Sequence, residues 1–399
     1  MKKILIVIYD MRIGGAQKSL LSFLQALSAA GKSGAYEVHV MPMNPAGEFL
    51  GQIPADIRVV QPPNILRWLG CRLSGKLLTK HFSLRGLLGE AMWILRSKLK
   101  LLPRELSIPQ RLWRVWKPFV PACRDAYDVA ISYIDGTASY YVMDKVTADK
   151  KVLWLHSDYR KQGYDPAFDA PYYQACDAVV TVSAECRETI RRALPEIGGK
   201  LHVLENISSW QTVLTRSQAG DCPEYAGADG LKLLCVARLH EQKGIDIAVE
   251  AARCLKEQGV RFCWLVVGEG SERPKLERMI AAYGLADCFR LLGSRENPYI
   301  YMRECDILVQ PSRIEGKSIV LDEAKMLCKP IVAAAYPTVG DAITHGETGL
   351  VAEMNGEAIA AAILRMQEDD ALRGEIIRRL EQLPKGNEDE LRRYMEIMF

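Results

Sequence analysis

The chain has 399 residues, too many for one ordinary core and about right for two. With 49% hydrophobic and 25% charged residues it is not a fibrous or broadly disordered protein, and a net charge of +3 does not announce a nucleic-acid binder. Eleven cysteines without a CxxC pair read as reduced core thiols, and six histidines without HxxxH or HExxH offer no dedicated metal site.

Lys2 and Lys3 precede the apolar run 4–8, which is cut short by Asp10 and Arg12. That is too brief for a secretory signal core, and no run reaches the roughly 18 apolar residues that read as a membrane span. A cytoplasmic chain is expected. Residues 4–9 are β-branched and apolar, the mark of a strand covered on both faces. Gly14-Gly15 follows, and 19–27 predicts an amphipathic helix. Strand-like runs recur at 37–41, 128–133, 151–155, 178–182 and 201–204, with helices such as 184–194 between several of them. The alternation predicts a helix-covered parallel sheet over 1–207.

Residues 64–124 break the pattern. They hold thirteen Lys or Arg against Glu90 and Glu105, a local charge of +11, and four of the seven tryptophans, Trp68, Trp93, Trp113 and Trp116. Leu84, Leu87, Leu88, Leu95, Leu99 and Leu102 recur at helical spacing. One reading is a helical insertion packed on the sheet with its basic residues in water. The other is an anionic-membrane surface, where Arg96, Lys98 and Lys100 meet headgroups and Trp93, Trp113 and Trp116 enter the acyl boundary. The two are compatible if some residues pack and others face lipid.

From 208 to 230 the chain turns polar and predicts a linker. A second alternating series then begins, with strands at 231–237, 262–267, 289–291, 307–310 and 330–333, and helices at 245–258, 275–283 and 320–327. It predicts a second doubly wound domain over 231–383. A terminal helix over 384–399 is expected to pack back on the first domain. Ligands of such α/β sheets bind at the carboxyl ends of the strands.

Two loops there carry chemistry. After 231–237 come Arg238 and Lys243, a bidentate fork and a mobile point charge suited to an anion. After 307–310 a loop leads into a helix whose free amides near Gly316 to Ser318 favour a phosphate. Glu315 precedes that helix and Glu323 lies inside it, too far apart to share a proton. They suit two points of one long polar ligand, although acids near a helix start are also favoured by its dipole alone.

Val236-Ala237-Arg238-Leu239 with Lys243-Gly244, Gly268-Glu269-Gly270, Asp306-Ile307, Pro311-Ser312, Glu315-Gly316 with Glu323-Ala324, Pro330-Ile331-Val332-Ala333 and Gly346 with Gly349-Leu350 occur in order. The series resembles the nucleotide-sugar half of the family-four retaining glycosyltransferases, glycosyl transferases group 1. Gly14-Gly15-Ala16, Trp154-Leu155-His156, Val182-Ser183 and Asn206 resemble the amino-terminal half more loosely. The resemblance implies a GT-B fold, two Rossmann-like α/β domains facing a central cleft. It implies that Arg238 and Lys243 hold the donor diphosphate in place of a metal, that Glu315 lies beside the sugar, and that Glu323 binds the ribose. Lys317, Ser318 and Ile319 would offer backbone amides, Gly14, Gly15 and Gly268 would belong to the donor site, and His156 would hydrogen-bond the donor sugar. Without the resemblance His156 also reads as a structural strand-end histidine. Glu315 as a covalent nucleophile and front-face attack by the acceptor are both open, the second preferred. Lys317 departs from the family's apolar pattern and brings an extra cation.

The expected protein is a metal-independent retaining glycosyltransferase with no cofactor, peripheral on the inner membrane face. It would use a nucleotide diphosphate sugar and a lipid-linked glycan acceptor of a bacterial envelope, capsule or exopolysaccharide. The alternatives are a soluble transferase with a small acceptor and a non-catalytic nucleotide-sugar-binding module.

Overall fold

Strands that lie in the middle of a parallel sheet must be apolar on both faces. Ile4 to Ile8 meet that demand and are fully buried at the centre of the first sheet in the computed structural model. The structure describes residues 2–30, 36–67, 84–99, 101–103, 105–156, 158–387 and 390–398. It divides into two units, Met1–Ile207 with Glu388–Phe399, and Ser208–Asn387.

The first unit is built on β1 (Lys2–Ile8), β2 (Tyr36–Pro42), β3 (Arg58–Val59), β4 (Ala126–Ser132), β5 (Thr147–Leu155), β6 (Ala178–Thr181) and β7 (Leu201–Val203). All pair in parallel, in the order β3-β2-β1-β4-β5-β6-β7, with Ile4 opposite both Val38 and Val129. Helices such as Gly15–Ala30 and Ala184–Ala193 connect them. The helix Glu390–Met398 belongs to this unit: Tyr394 packs 4.8 Å from Phe23 and 4.9 Å from Trp154, ring centre to ring centre.

The second unit carries β8 (Leu231–Val236), β9 (Phe262–Val267), β10 (Phe289–Gly293), β11 (Ile307–Gln310), β12 (Ile331–Ala334) and β13 (Leu350–Ala352). These too are parallel, in the order β10-β9-β8-β11-β12-β13. Residues 208–230 are not a bare linker. The helix Trp210–Ser217 is capped by Ser209, and Val213, Cys222 and Tyr225 enter the second unit's core. The Tyr225 hydroxyl donates to the Leu233 carbonyl at 2.6 Å. Their polar neighbours cover an apolar seam, which composition alone does not reveal.

The basic stretch folds partly inward. The helix Ile108–Trp116 buries Leu112, Trp113, Val115 and Trp116 in the cluster that also holds Leu5 and Val7 of β1. Trp113 donates its indole N–H to Asp144 at 2.8 Å. Trp113 and Trp116 are therefore core residues and do not face lipid. The amphipathic pattern that sets Arg114 and Lys117 outside is the same pattern that turns the indoles onto the sheet. Trp93 and Arg96 are half-buried and Lys98 is exposed, while Trp68, Lys100 and Arg104 lie outside the described residues.

Candidate active site

In the second unit the strand order runs outward from β8 in one direction and from β11 in the other. Loops leaving the carboxyl ends of such a neighbouring pair diverge and leave a crevice between them. Arg238 and Lys243 follow β8, and residues 311–318 follow β11. The two loops touch at Gly244, where φ is +63° and a Cβ would stand 2.0 Å from the Pro311 carbonyl oxygen. Gly268, just past β9 with φ +152°, lies equally close behind the first loop, where a Cβ would meet the Ala237 oxygen at 1.8 Å. Only glycine permits either approach. Gly268 thus shapes the loop that presents Arg238.

Lys243 reaches across this crevice to Glu315, with Nζ 2.8 and 2.7 Å from the two carboxylate oxygens. Oε1 also accepts from the Gln310 amide at 2.8 Å and from the Ser312 hydroxyl at 2.7 Å. Gln310 in turn accepts from the Ser318 hydroxyl at 2.7 Å, and Thr338 donates to the Glu315 carbonyl at 3.0 Å. Ser318 is the N-cap of the helix Ile319–Met326 and accepts from the Leu321 amide. A chain of side-chain bonds therefore fixes Glu315 against the start of that helix. A carboxylate that accepts from a lysine, an amide and a hydroxyl has little free electron density for nucleophilic attack.

Arg238 is exposed, and among the described residues its guanidinium engages no carboxylate. It is a cation held at a strand end with its fork available. The first-turn amides of the helix Ile319–Met326 have no partners within the helix. The Lys317 side chain turns aside: it is mostly buried, with Nζ 3.9 Å from Asp322, which also holds Lys325 at 2.9 Å. Glu323 is buried, and its Oε1 accepts from the Tyr299 hydroxyl at 2.9 Å, with the Arg216 guanidinium over the Tyr299 ring. Burial and the nearby Glu323 carboxylate hold the Tyr299 phenol well above its usual range.

In the first unit the order reverses between β1 and β4, and the chosen residues follow β1 and β5. Gly15 opens the helix Gly15–Ala30 with clear space where a side chain would stand. Gly14 is tighter, because a Cβ there would press on the Gln17 amide. Asp10 steadies the loop by accepting from Arg12 at 2.6 Å and from Gln17 at 3.2 Å. His156 follows β5, its ring 4.9 Å from that of Tyr133. Burial pushes the imidazole down to about 3, opposed only by a hydrogen bond to the Tyr133 backbone. That bond raises the imidazole's affinity for protons, so the ring donates in it. Nε2 is then a bare acceptor, buried and without a protein partner among the described residues.

Residues 226–382 match the family model described as Glycosyl transferases group 1. That segment lies wholly in the second unit and makes up about two fifths of the chain. The chain is 35% identical over 150 residues to the amylovoran biosynthesis glycosyltransferase AmsK of Erwinia amylovora, a stretch covering 35% of this chain and 37% of that protein. It thus spans little more than a third of that relative's length. It is 26% identical over 354 residues to the alpha-D-kanosaminyltransferase of Streptomyces kanamyceticus, covering 84% of this chain and 87% of that one. Among solved structures, HepE of Anabaena in complex with UDP and glucose superposes with a TM-score of 0.73 at 16% identity, covering 99% of this chain and 98% of that one. The likeness is one of fold: both units are the doubly wound α/β layers of GT-B enzymes.

Several partners of these residues escape a reading by motif. Gln310 and Ser312 hold Glu315, Tyr299 holds Glu323, and Tyr133 holds His156. A signal existed for Gln310, a polar side chain ending the apolar run Ile307–Gln310. Tyr299 had none, since its distance along the chain from Glu323 encodes no contact.

Proposed function

We propose that this protein is a metal-independent retaining glycosyltransferase. It moves a sugar from a nucleotide diphosphate sugar to a lipid-linked glycan acceptor in bacterial envelope, capsule or exopolysaccharide synthesis. The observation that carries the reading is the pair of loops after β8 and β11: exposed Arg238 shares the first with Lys243, and Lys243 bonds Glu315 of the second, just before a helix start. Breaking the anomeric bond sends its electron pair onto the diphosphate. Arg238, Lys243 and the amides of Lys317, Ser318 and Ile319 meet that negative charge. The acceptor hydroxyl oxygen bonds to the anomeric carbon on the face the diphosphate leaves, and its proton passes to a leaving phosphate oxygen. Glu315, spent on Lys243, Gln310 and Ser312, positions the sugar and does not attack it. Glu323 is assigned to the ribose, His156 Nε2 accepts from a sugar hydroxyl, and Gly14, Gly15 and Gly268 give the donor clearance.

The name of AmsK, a biosynthetic enzyme of amylovoran, supports a polysaccharide setting. The burial of Trp113 and Trp116 favours a second reading, a small acceptor in solution, because it removes two of the residues assigned to lipid. Incubation with a panel of nucleotide sugars, with and without bacterial lipid extract, separates the readings. Transfer to extracted lipid with the donor's anomeric configuration kept is the expected result. Donor binding with neither transfer nor hydrolysis would leave only a binding module.

A further inference from the structure

The helix Leu84–Lys98 is seated the opposite way from a core helix. Gly86 and Gly89 are its buried positions, and Gly89 lies so close that a Cβ would stand 2.8 Å from the Trp116 ring. Leu84 is 68% exposed, Leu88 53% and Leu95 51%, and Leu99, Leu101 and Ile108 extend the same kind of surface. The helix cannot roll its leucines inward, because the seam against the indole admits only glycine. An apolar face held outward in this way marks an interaction surface.

The charge beside it selects the occupant. From 84 to 117 the sequence has eight Lys or Arg and only Glu90 and Glu105 as acids. Arg85 and Lys98 are exposed on the helix itself. A two-fold contact through this face would bring two like-charged surfaces together and repel. A surface of anionic headgroups over an acyl layer satisfies both the cations and the leucines.

We propose that the outward face of the helix Leu84–Lys98 docks on an anionic phospholipid bilayer. Its leucines enter the acyl boundary, with Arg85 and Lys98 at headgroup level. The anchor is aliphatic, and Trp113 and Trp116 form its support from within. The inference rests on the reading of a membrane-held acceptor for its use, and it is tested apart from that reading.

Flotation of the full chain with phosphatidylcholine vesicles, with and without phosphatidylglycerol, is the direct measurement. Binding is expected with phosphatidylglycerol and should weaken with salt, as the Debye length falls from about 10 Å at 0.1 M to about 3 Å at 1 M. Leu88→Ser, Leu95→Ser and Leu99→Ser together should lower the bound fraction by about tenfold or more with an unchanged melting temperature. Wild-type protein that ignores both vesicles, or a triple variant that floats as well as wild type, overturns the proposal. So does a dimer in light scattering that the triple variant dissolves, which would identify a second copy as the occupant. Transfer to detergent-dispersed lipid extract is read in parallel. Transfer without flotation sinks the docking face alone, and flotation without transfer sinks the acceptor reading alone.

Discussion

The Lys243 ammonium spans both oxygens of Glu315, at 2.8 and 2.7 Å, and joins the loop after β8 to the loop after β11. Glu315 is mostly buried, so removing the cation leaves a carboxylate with too few donors in poor contact with water. Lys243→Met should therefore destabilise the protein by about 1–3 kcal/mol in urea unfolding. Lys243→Met with Glu315→Gln should recover about half of that loss. A Lys243→Met midpoint equal to wild type would show that the pair adds nothing to the fold.

Arg238 has the converse character. It is exposed and engages no carboxylate among the described residues, so its loss should not disturb folding. Arg238→Ala should lower turnover by more than about two decades, as expected for about 3–4 kcal/mol of lost stabilisation of the charge that develops on the diphosphate. Wild-type turnover in that variant, with circular dichroism unchanged, would remove Arg238 from the donor site.

If Arg238 and Lys243 neutralise the departing diphosphate, no divalent ion is required there. Activity should persist in excess chelator. Loss of activity that magnesium or manganese restores would contradict the assignment.

His156 gives a pH signature. Its native imidazole is pushed down to about 3 from 6.5, so between those values the unfolded chain binds a proton that the native chain does not. The stabilisation is complete above pH 6.5 and is lost as pH falls, by at most about 1.4 kcal/mol per pH unit. Asp135 and Asp169 act in the opposite sense, because burial raises both and the native state takes up their protons first. They are common to wild type and His156→Asn. The variant should therefore lose less stability than wild type between pH 7 and pH 5 in denaturant titrations. An imidazole resonance of His156 that titrates near 6.5 would refute the assignment.

The fold is legible where local pattern and tertiary demand agree. The run Leu231–Val236 reads as a covered strand because every residue but Lys232 is apolar. The strands Arg58–Val59 and Leu350–Ala352 do not, since two or three residues are too few to display a period. The Arg238, Lys243 and Glu315 positions are legible from loops at strand ends, but the bond joining Lys243 to Glu315 spans 72 residues and no spacing encodes it. The basic stretch is misleading in a specific way. Tryptophan and leucine both suggest lipid by composition, and the choice between them lies in Gly86 and Gly89, which let the leucines turn out while Trp116 turns in.

The helix Glu390–Met398 sets when the first unit can be finished. Tyr394 and Met398 are part of the cluster that contains Ile4, Phe23 and Trp154, so residues synthesised before the second unit wait for residues made after it to complete their core. At about 5–20 residues per second, the intervening unit takes on the order of 10–40 s to emerge. During that interval Phe23 and Trp154 lack the ring that covers them and are exposed to chaperones and proteases. Loss of the helix Glu390–Met398 therefore damages the core built on β1, and a fragment ending at Ile207 is an unfinished unit.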